Sequence, residues 1–470
     1  MKKFIRVLVF SMLISMNLLT VSHARSIFET LSKTSSQTSS QTSTQTSSTT
    51  SYKTVDGFYM VETDSYLNTV EPSTVVLPEE FREMAVDGYS LVYNDEFIPA
   101  EITLNKNIMS ITPSGSLKDG ATYQVRIFAG DDSRYAVNLK AYNLKSIDFS
   151  RETVVKIPAN PEKGFNYPYY LVIPRNADKS EIKRLIVEPN NSGMVSDVLD
   201  LHAELAKAGV TGASQSGWVS EMLQIPALMP VFPRPLQEWW DNYYHTLSRE
   251  VMLQTTGDGV RVDLQLIAMI KDAQELLAAN GLEVEKKVFM TGFSASGQFV
   301  NRFTVLHPEW VKAVFAGGFT MYPAESIDGN ILYFPLGIAD IKEIAGKEFN
   351  LEEYKKVAQF VFTGDLDRND RIVETEEDYN AYDAKVMYNL YKTEDCMIIW
   401  KTKERLINDL GFGENFQFHI YEGIGHGIPS AASHDILEFF MKNNGDEIVK
   451  INAHKDAGYW NPEELPKPIR

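Results

Sequence analysis

Apolar and polar positions along the chain form two successive patterns, and the longer one covers residues 146–446. There, short apolar runs typical of buried strands alternate with segments whose apolar residues recur at helical spacing. In the segment 263–280 the apolar positions are 266, 269, 270, 273 and 277, and an Asn-Gly pair closes the predicted helix. Strands that alternate with helices predict a doubly wound, mostly parallel sheet. The runs interpreted as strands are 169–174, 184–189, 227–233, 288–292, 314–316, 359–362 and 416–421.

The preceding residues, 55–145, show short alternating runs that are separated by turn-forming pairs. Alternation with a period of two is typical of half-buried strands, and residues 100–104 and 122–128 are examples. The spacing predicts a small antiparallel β-sandwich. Residues 117–125 resemble the turn and closing strand of immunoglobulin-like modules, so we expect an immunoglobulin-like domain. We find no catalytic constellation in it, which favours a spacer or packing role over carbohydrate binding.

The first 24 residues have the features of a secretory signal peptide. Lys2, Lys3 and Arg6 precede an apolar run, 7–21, and residues 22–24 supply the small residues that a signal peptidase needs. The run is too short and too interrupted to span a bilayer as a helix. We therefore expect a secreted protein without membrane attachment after cleavage. Residues 25–54, rich in Ser, Thr and Gln, predict a disordered linker, and residues 447–470 predict a C-terminal tail.

Composition narrows the functional classes. The 470-residue chain is 44% hydrophobic, which is enough for a large core, and its formal net charge is −18. That charge would repel nucleic acids and anionic membranes, so neither is expected as a partner. The single cysteine, Cys396, leaves no partner for an intrachain disulfide, and its two acidic neighbours argue against a reactive thiolate. No Cys/His cluster has zinc spacing, and we predict neither a metal nor a cofactor.

Candidate chemistry centres on residues 288–299, where an apolar run ends in Gly292 and an amphipathic segment follows. This order predicts a strand, a tight turn and a helix. Such a turn needs small residues two positions before and after its apex, and Gly292 and Ser296 meet that need for Ser294. Ser294 Oγ is therefore expected at the carboxyl edge of the sheet, with the backbone N–H of Ala295 available to an oxyanion. The stretch resembles the nucleophile elbow of α/β-hydrolases, with Ser296 replacing the usual glycine.

A serine nucleophile needs a base and an acid, and the resemblance implies that these follow in the order acid, then histidine. His426 comes after a predicted strand, and flanking glycines would let its loop cross the sheet edge. In this family the acid commonly stands three residues after a strand-ending glycine, which favours Asp367, with Asp365 and Asp370 as alternatives. A calcium loop is a weaker interpretation of the same segment, because Asp370 occupies the position of the invariant glycine.

Further parts of a site are predicted from other loops. A second oxyanion donor is expected from the turn 189–193, with the backbone N–H of Asn191 or Ser192 as candidates. The long connection 321–356 is expected to cap the site. Aromatic residues after another predicted strand either line a substrate pocket or pack a helix onto the core. They include Trp239, Trp240 and Tyr243.

Across residues 150–445 these motifs together resemble an exported α/β-hydrolase related to polyhydroxybutyrate depolymerase-like and feruloyl esterase-like proteins. The resemblance implies a serine hydrolase that cleaves small-molecule or polymer carboxylic esters through Ser294, Asp367, His426 and an acyl-enzyme intermediate. Two other functions stay open. One is a serine peptidase, because the elbow does not distinguish esters from amides. The other is a non-catalytic extracellular binding protein on a hydrolase fold, against which the presence of all three roles in the required order argues.

Overall fold

The computed structural model describes residues 53–61, 63, 65–191, 193–236, 243–369 and 381–468. The predicted signal peptide and almost all of the predicted linker lie outside the described residues. From Thr54 onward the chain forms one compact unit.

The amino-terminal part of this unit consists of two β-sheets. Its strands are β1 (Lys53–Val55), β2 (Phe58–Val61), β3 (Leu67–Asn68), β4 (Ser73–Val76), β5 (Val86–Tyr93), β6 (Glu96–Ile98), β7 (Ala100–Asn105), β8 (Ile108–Pro113), β9 (Thr122–Ala129) and β10 (Arg134–Tyr142). The larger sheet has the order β1-β2-β10-β9-β5-β6, with β3 also paired to β10, and the smaller sheet is β4-β8-β7. The alternation expected in this region is present along β9. The prediction of antiparallel pairing is wrong for β2 and β3, which both run parallel to β10. The immunoglobulin-like assignment stays a prediction.

An eight-stranded sheet forms the rest of the unit. Its strands are β11 (Thr153–Ile157), β12 (Tyr169–Ile173), β13 (Ile186–Val187), β14 (Ala227–Pro230), β15 (Val288–Phe293), β16 (Val311–Gly317), β19 (Ala358–Gly364) and β20 (Phe416–Tyr421), and the small hairpin β17 (Ser326–Ile327) and β18 (Asn330–Ile331) precedes β19. The order is β11-β12-β14-β13-β15-β16-β19-β20. Among these described strands, β12 is antiparallel to both of its neighbours, β11 and β14. All other neighbouring pairs of the sheet are parallel. This strand order is that of the α/β-hydrolase fold.

The sequence did not predict β11, and it overestimated β13. The run 184–189 was expected to be a strand, but only two of its residues pair as one. Arg184 instead turns towards the C-terminal segment, where its guanidinium donates to Asn444 Oδ1 at 2.8 Å. Apolar character alone therefore overstated the length of this strand.

Helices cover both faces of the large sheet. They are α1 (Leu199–Ala208), α2 (Gln215–Leu223), α3 (Arg249–Leu253), α4 (Val262–Ala279), α5 (Ala295–Leu306), α6 (Ile341–Ala345), α7 (Leu351–Tyr354), α8 (Ala381–Tyr391), α9 (Cys396–Asp409) and α10 (Ala432–Lys442). The predicted helix 263–280 corresponds to α4. It ends as the Asn-Gly pair predicted, because Gly281 has a φ of +83° and Leu282 N–H donates to the Leu277 carbonyl at 3.0 Å.

The large sheet separates two apolar layers. Along β15, Val288 and Met290 contribute to the layer that contains α4 and α5, whereas Phe289 contributes to the layer of α2 and α10. Val314 and Phe315 on β16 divide in the same way. Both faces of the central strands are therefore buried, which explains why these strands appear in the sequence as continuous apolar runs.

The segment that joins the two parts of the unit is attached to the end of α4. Asn280 Oδ1 accepts a hydrogen bond from Ile147 N–H at 2.8 Å, and Asn280 Nδ2 donates to the Leu144 carbonyl at 2.8 Å. One side chain thus satisfies two backbone groups of the connecting segment. The segment is fixed to the helix instead of hanging free between the two parts.

The C-terminal segment packs beside α10. Asp435 is fully buried, and its carboxylate accepts hydrogen bonds from Tyr421 OH at 2.7 Å and from His454 Nδ1 at 2.6 Å. The imidazole of His454 also stacks on Tyr459, with 3.9 Å between the ring centroids. These contacts tie the residues that follow α10 to the last strand of the sheet.

A buried ionic cluster holds the C-terminal end of α5. His307 Nε2 lies 2.8 Å from Asp263 Oδ2, and Arg261 donates to both oxygens of the same carboxylate. Lys347 Nζ completes the cluster at 3.0 Å from His307 Nδ1. Burial raises the pKa of Asp263, but the hydrogen bonds from Arg261 and His307 lower it by more, to about 2. The cluster anchors the helix whose other end begins directly after Ser294.

We predict that Asp263→Asn lowers the free energy of unfolding by about 2 kcal/mol at pH 6, because the folded pKa is about 2 against an ordinary 3.8. Because the pKa of Asp263 is lower in the folded than in the unfolded protein, its ionised carboxylate stabilises the fold fully above about pH 4. This stabilisation is lost as the pH falls towards 2. Urea denaturation at pH 3 should therefore show a difference in unfolding free energy between wild type and Asp263→Asn that is about 1 kcal/mol smaller than at pH 6. Asp409→Asn is the control, because the Asp409 side chain is exposed. If the stability difference between wild type and Asp263→Asn did not change with pH, the lowered pKa of Asp263 would be contradicted.

Candidate active site

Ser294 stands at the junction of β15 and α5 in a backbone conformation that L-residues rarely adopt. Its φ is +58° and its ψ is −122°. Such a conformation costs about 1–3 kcal/mol and persists only where the surrounding structure imposes it. The Ser294 N–H donates to the Gly317 carbonyl at 3.0 Å, and the Ser294 carbonyl accepts from Gln298 N–H at 2.9 Å. Hydrogen bonds on both sides therefore hold this turn, and the residue is partly exposed beyond the carboxyl end of β15.

Small residues make this turn possible, as the sequence predicted. A Cβ on Gly292 would lie 2.4 Å from the carbonyl oxygen of Ser296, and a Cβ on Gly297 would lie 2.4 Å from that of Gly317. Neither contact leaves room for a side chain. Ser296 Oγ accepts from Phe293 N–H and donates to the Phe293 carbonyl, both at 3.0 Å. The serine that replaces the usual glycine thus links the two sides of the turn.

His426 lies in the loop after β20, and its imidazole faces both a carboxylate and the elbow. Nδ1 is 2.9 Å from Asp367 Oδ2, and because an ionised carboxylate only accepts hydrogen bonds, Nδ1 is the donor. The imidazole centroid lies 4.7 Å from the ring centroid of Phe293, the residue immediately before Ser294. The structure therefore brings His426 and Asp367 together beside the turn that carries Ser294.

The Asp367 side chain is only 7% exposed. Burial raises its pKa, but hydrogen bonds from His426 and from the Asn369 backbone N–H lower it by more, so the pKa lies below its ordinary value. The carboxylate is therefore ionised at neutral pH. Asn369 also contacts the imidazole, with Nδ2 3.4 Å from His426 Nε2. Sequence reasoning missed Asn369, because its position depends on how the loop after β19 turns.

Asp365, one of the alternative acids, has a different set of contacts. Its Oδ1 accepts a hydrogen bond from Gly423 N–H at 2.9 Å, and its own N–H donates to the Tyr421 carbonyl at 3.0 Å. Asp365 thus braces the start of the loop that carries His426. The other alternative, Asp370, lies outside the described residues.

The loops after β19 and β20 approach each other so closely that only glycine fits at residue 364. A Cβ on Gly364 would lie 2.2 Å from the Ile424 carbonyl oxygen and 2.7 Å from that of Gly425. The Ile424 carbonyl accepts a hydrogen bond from Leu366 N–H at 3.0 Å. Direct contact between the two backbones therefore sets the separation of Asp367 and His426.

The two residues predicted to supply oxyanion donors, Ala295 and Asn191, both lie next to the elbow. Ala295 is the first residue of α5, where a backbone N–H has no acceptor within the helix. Asn191, after β13, donates from Nδ2 to the Phe293 carbonyl at 3.1 Å. The turn 189–193 thus contacts the elbow, and its Ser192 lies outside the described residues.

Two residues that the sequence analysis did not single out hold this turn in place. Asn190 accepts from Phe232 N–H and donates to the Phe232 carbonyl, both at 2.9 Å, so its amide joins the loops after β13 and β14. Glu188 accepts from Ser214 Oγ at 2.6 Å and from Ser216 N–H at 2.8 Å. Burial raises the pKa of Glu188 more than these hydrogen bonds lower it. An acid directly after a buried strand was the sequence signal for this anchor.

The predicted aromatic pocket is only partly described. Trp239 and Trp240 lie outside the described residues. Tyr243 packs under the Arg234 guanidinium, with 4.1 Å between Cζ and the ring centroid. Arg234 itself is largely buried after β14, so Tyr243 belongs to the loops on the elbow side of that strand.

No group of three or more His, Cys, Asp or Glu side chains is arranged to hold a metal within the described residues. The weaker calcium interpretation stays untested, because its last ligand, Glu376, lies outside them. Among the helices described above, none combines the length and the hydrophobicity that crossing a bilayer would require.

Comparisons with other proteins give matches to solved structures alone, since no family model and no curated protein matches the chain. The poly(3-hydroxybutyrate) depolymerase LpqC from Bordetella parapertussis is 17% identical, with 62% of this chain and 90% of that chain covered and a TM-score of 0.38. An acetyl xylan esterase from Aspergillus awamori is 15% identical, with 60% and 97% covered and a TM-score of 0.35. The α/β-hydrolase fold of this chain is defined by its own strand order and elbow.

We predict that Gly364→Ala lowers the free energy of unfolding by about 2 kcal/mol, because the added Cβ would overlap two backbone carbonyls. The matched control is Gly445→Ala, whose Cβ would meet no atom within 4 Å and should change stability by less than about 0.5 kcal/mol. Urea denaturation of both variants measures the difference. Equal unfolding free energies for the two variants would show that the loops after β19 and β20 can move apart to accommodate the added Cβ.

Proposed function

We propose that this protein is a secreted serine hydrolase that cleaves carboxylic esters through Ser294, His426 and Asp367. The observation that carries the proposal is the 2.9 Å hydrogen bond between Asp367 and His426, formed beside the strained turn of Ser294. A buried ionised carboxylate that holds an imidazole next to a strained serine is the arrangement that nucleophilic catalysis requires.

In the proposed reaction, His426 Nε2 accepts the Ser294 hydroxyl proton while Oγ attacks the carbonyl carbon of the ester. Asp367 holds the proton on Nδ1, so that the proton-accepting lone pair is on Nε2, and then stabilises the imidazolium. The backbone N–H groups of Ala295 and Asn191 donate to the oxyanion. His426 next protonates the departing alcohol, which leaves an acyl-enzyme, and water activated by the same imidazole releases the acid.

The ester preference and the location follow from different evidence. The resemblance of the elbow, acid and histidine motifs to esterase-like proteins supports ester cleavage, with small-molecule or polymer esters as substrates. The charged start, apolar run and small residues of positions 1–24 support export and removal of the signal. The mechanism needs neither a metal nor an organic cofactor, because acid, base and nucleophile are all side chains of this chain.

We predict that Ser294→Ala abolishes labelling by a fluorophosphonate probe and lowers kcat/KM for a short-chain nitrophenyl ester by about 10⁴-fold or more. The physical reason is that no other group replaces the attacking Oγ. Ser296→Ala is the matched control, because Ser296 Oγ is hydrogen-bonded to the backbone of Phe293 and is not the proposed nucleophile. This variant should still take the label. Labelling of Ser294→Ala, or an unlabelled wild type without esterase activity, would refute the proposal.

A second prediction separates the candidate acids. Asp367→Asn should lower kcat by about 10³–10⁴-fold, because an amide neither stabilises the imidazolium nor fixes its tautomer. Asp365→Asn removes the same charge but keeps an Oδ1 that accepts from Gly423 N–H, so kcat should change by less than about threefold. Steady-state kinetics of both variants make the comparison. A larger loss in Asp365→Asn would assign the acid role to Asp365.

A further inference from the structure

A cleft of about 220 Å³ opens on the larger sheet of the amino-terminal part. The β1–β2 hairpin borders it on one side and the turn between β5 and β6 on the other, with β9 and β10 between them. None of the lining residues belongs to the α/β sheet.

A row of planar polar side chains crosses this cleft. Gln124 Nε2 donates to Asn138 Oδ1 at 3.3 Å, and Gln124 Oε1 accepts from Arg126 Nε at 2.7 Å. Arg126 Nη2 lies 3.5 Å from Asp95 Oδ1 at the end of the row. Two strands and a turn therefore present amides, a guanidinium and a carboxylate side by side. The hydrogen bonds among Asn138, Gln124 and Arg126 orient these three groups before any ligand arrives.

An aromatic ring lies beside this row, under the guanidinium of Arg126. Phe58 is partly exposed, and its ring lies 5.1 Å from Arg126 Cζ and packs against the edge of Phe128, with 6.1 Å between the ring centroids. Buried Val92, directly opposite Gln124 on the neighbouring strand, also lines the cleft. A partly exposed aromatic ring beside a row of donors and acceptors fits a ligand with apolar C–H faces and many hydroxyl groups.

Charge identifies the ligand class further. Asp56 and Asp95 face one guanidinium, Arg126, so the cleft does not favour an anion, and the chain as a whole has a net charge of −18. Both oxygens of a carboxylate and both ends of an amide can bond neighbouring hydroxyls of one ring. A neutral polyhydroxylated ring satisfies these groups without bringing a further charge.

We propose that this cleft binds a neutral carbohydrate chain. The sequence favoured a spacer or packing role for the same region, because no local motif marks residues that come from three strands and a turn. The proposal does not depend on the hydrolase activity, since its residues all lie between positions 55 and 138. It gives the protein a second, non-catalytic site with a polysaccharide as its ligand.

Affinity electrophoresis of the full chain tests the proposal. The Ser294→Ala background is used so that hydrolysis cannot alter the ligand, and the gels contain arabinoxylan, glucomannan, mixed-linkage β-glucan or polygalacturonate. We expect retardation by at least one neutral polysaccharide and none by polygalacturonate. Gln124→Ala combined with Asn138→Ala should weaken retardation about tenfold, because two oriented hydrogen-bonding groups are lost. Phe58→Ala should also weaken retardation, because the aromatic ring beside Arg126 is lost.

The matched control is Thr103→Ala combined with Ser110→Ala, an exposed pair on the smaller sheet, and it should migrate like the parent. Thermal unfolding of each variant verifies that the sheets are intact. The proposal is overturned if no neutral polysaccharide retards the protein, if polygalacturonate alone retards it, or if the cleft variants are retarded as strongly as the control. None of these outcomes depends on whether Ser294 is a nucleophile.

Discussion

The hydrogen bond between Asp367 and His426 depends on the parallel pairing of the last two strands of the sheet. In that pairing Gly364 stands opposite Tyr421, so both loops leave the sheet at the same level. The missing side chain at Gly364 then lets the second loop contact the first, and Asp365 fixes the start of the second loop through Gly423. The orientation of the imidazole is thus a product of backbone packing as well as of its own hydrogen bond.

Some parts of this site could be predicted from the sequence because the constraint on them is local. The elbow is such a case, since the spacing of Gly292, Ser294 and Ser296 follows from the sterics of a single turn. The acid is the opposite case. Asp365 and Asp367 lie two residues apart, and which of them meets His426 depends on contacts with a loop more than fifty residues away. The local pattern, an acid three residues after Gly364, favoured Asp367 but left Asp365 and Asp370 open as alternatives.

The fold shows the same division. The helix α4 and the central strands were predicted to within a few residues, because burial on one or both faces leaves a clear apolar pattern. The strand β11 was missed, and β13 was predicted too long, since the pairing of edge and short strands depends on their neighbours. Anchors such as Asn190 escaped notice because their function is to join backbone groups that are distant in sequence.

Asn280 bonds the backbone on both sides of the connecting segment, at Leu144 and at Ile147. These hydrogen bonds therefore oppose the free relative rotation of the two parts that a flexible linker would allow. If the cleft of the amino-terminal part binds a polymer while Ser294 attacks an ester on the same polymer, the distance between the bound sugar and the attacked ester is constant. The spacing of susceptible groups along the polymer, more than their abundance, would then decide how readily successive cuts follow.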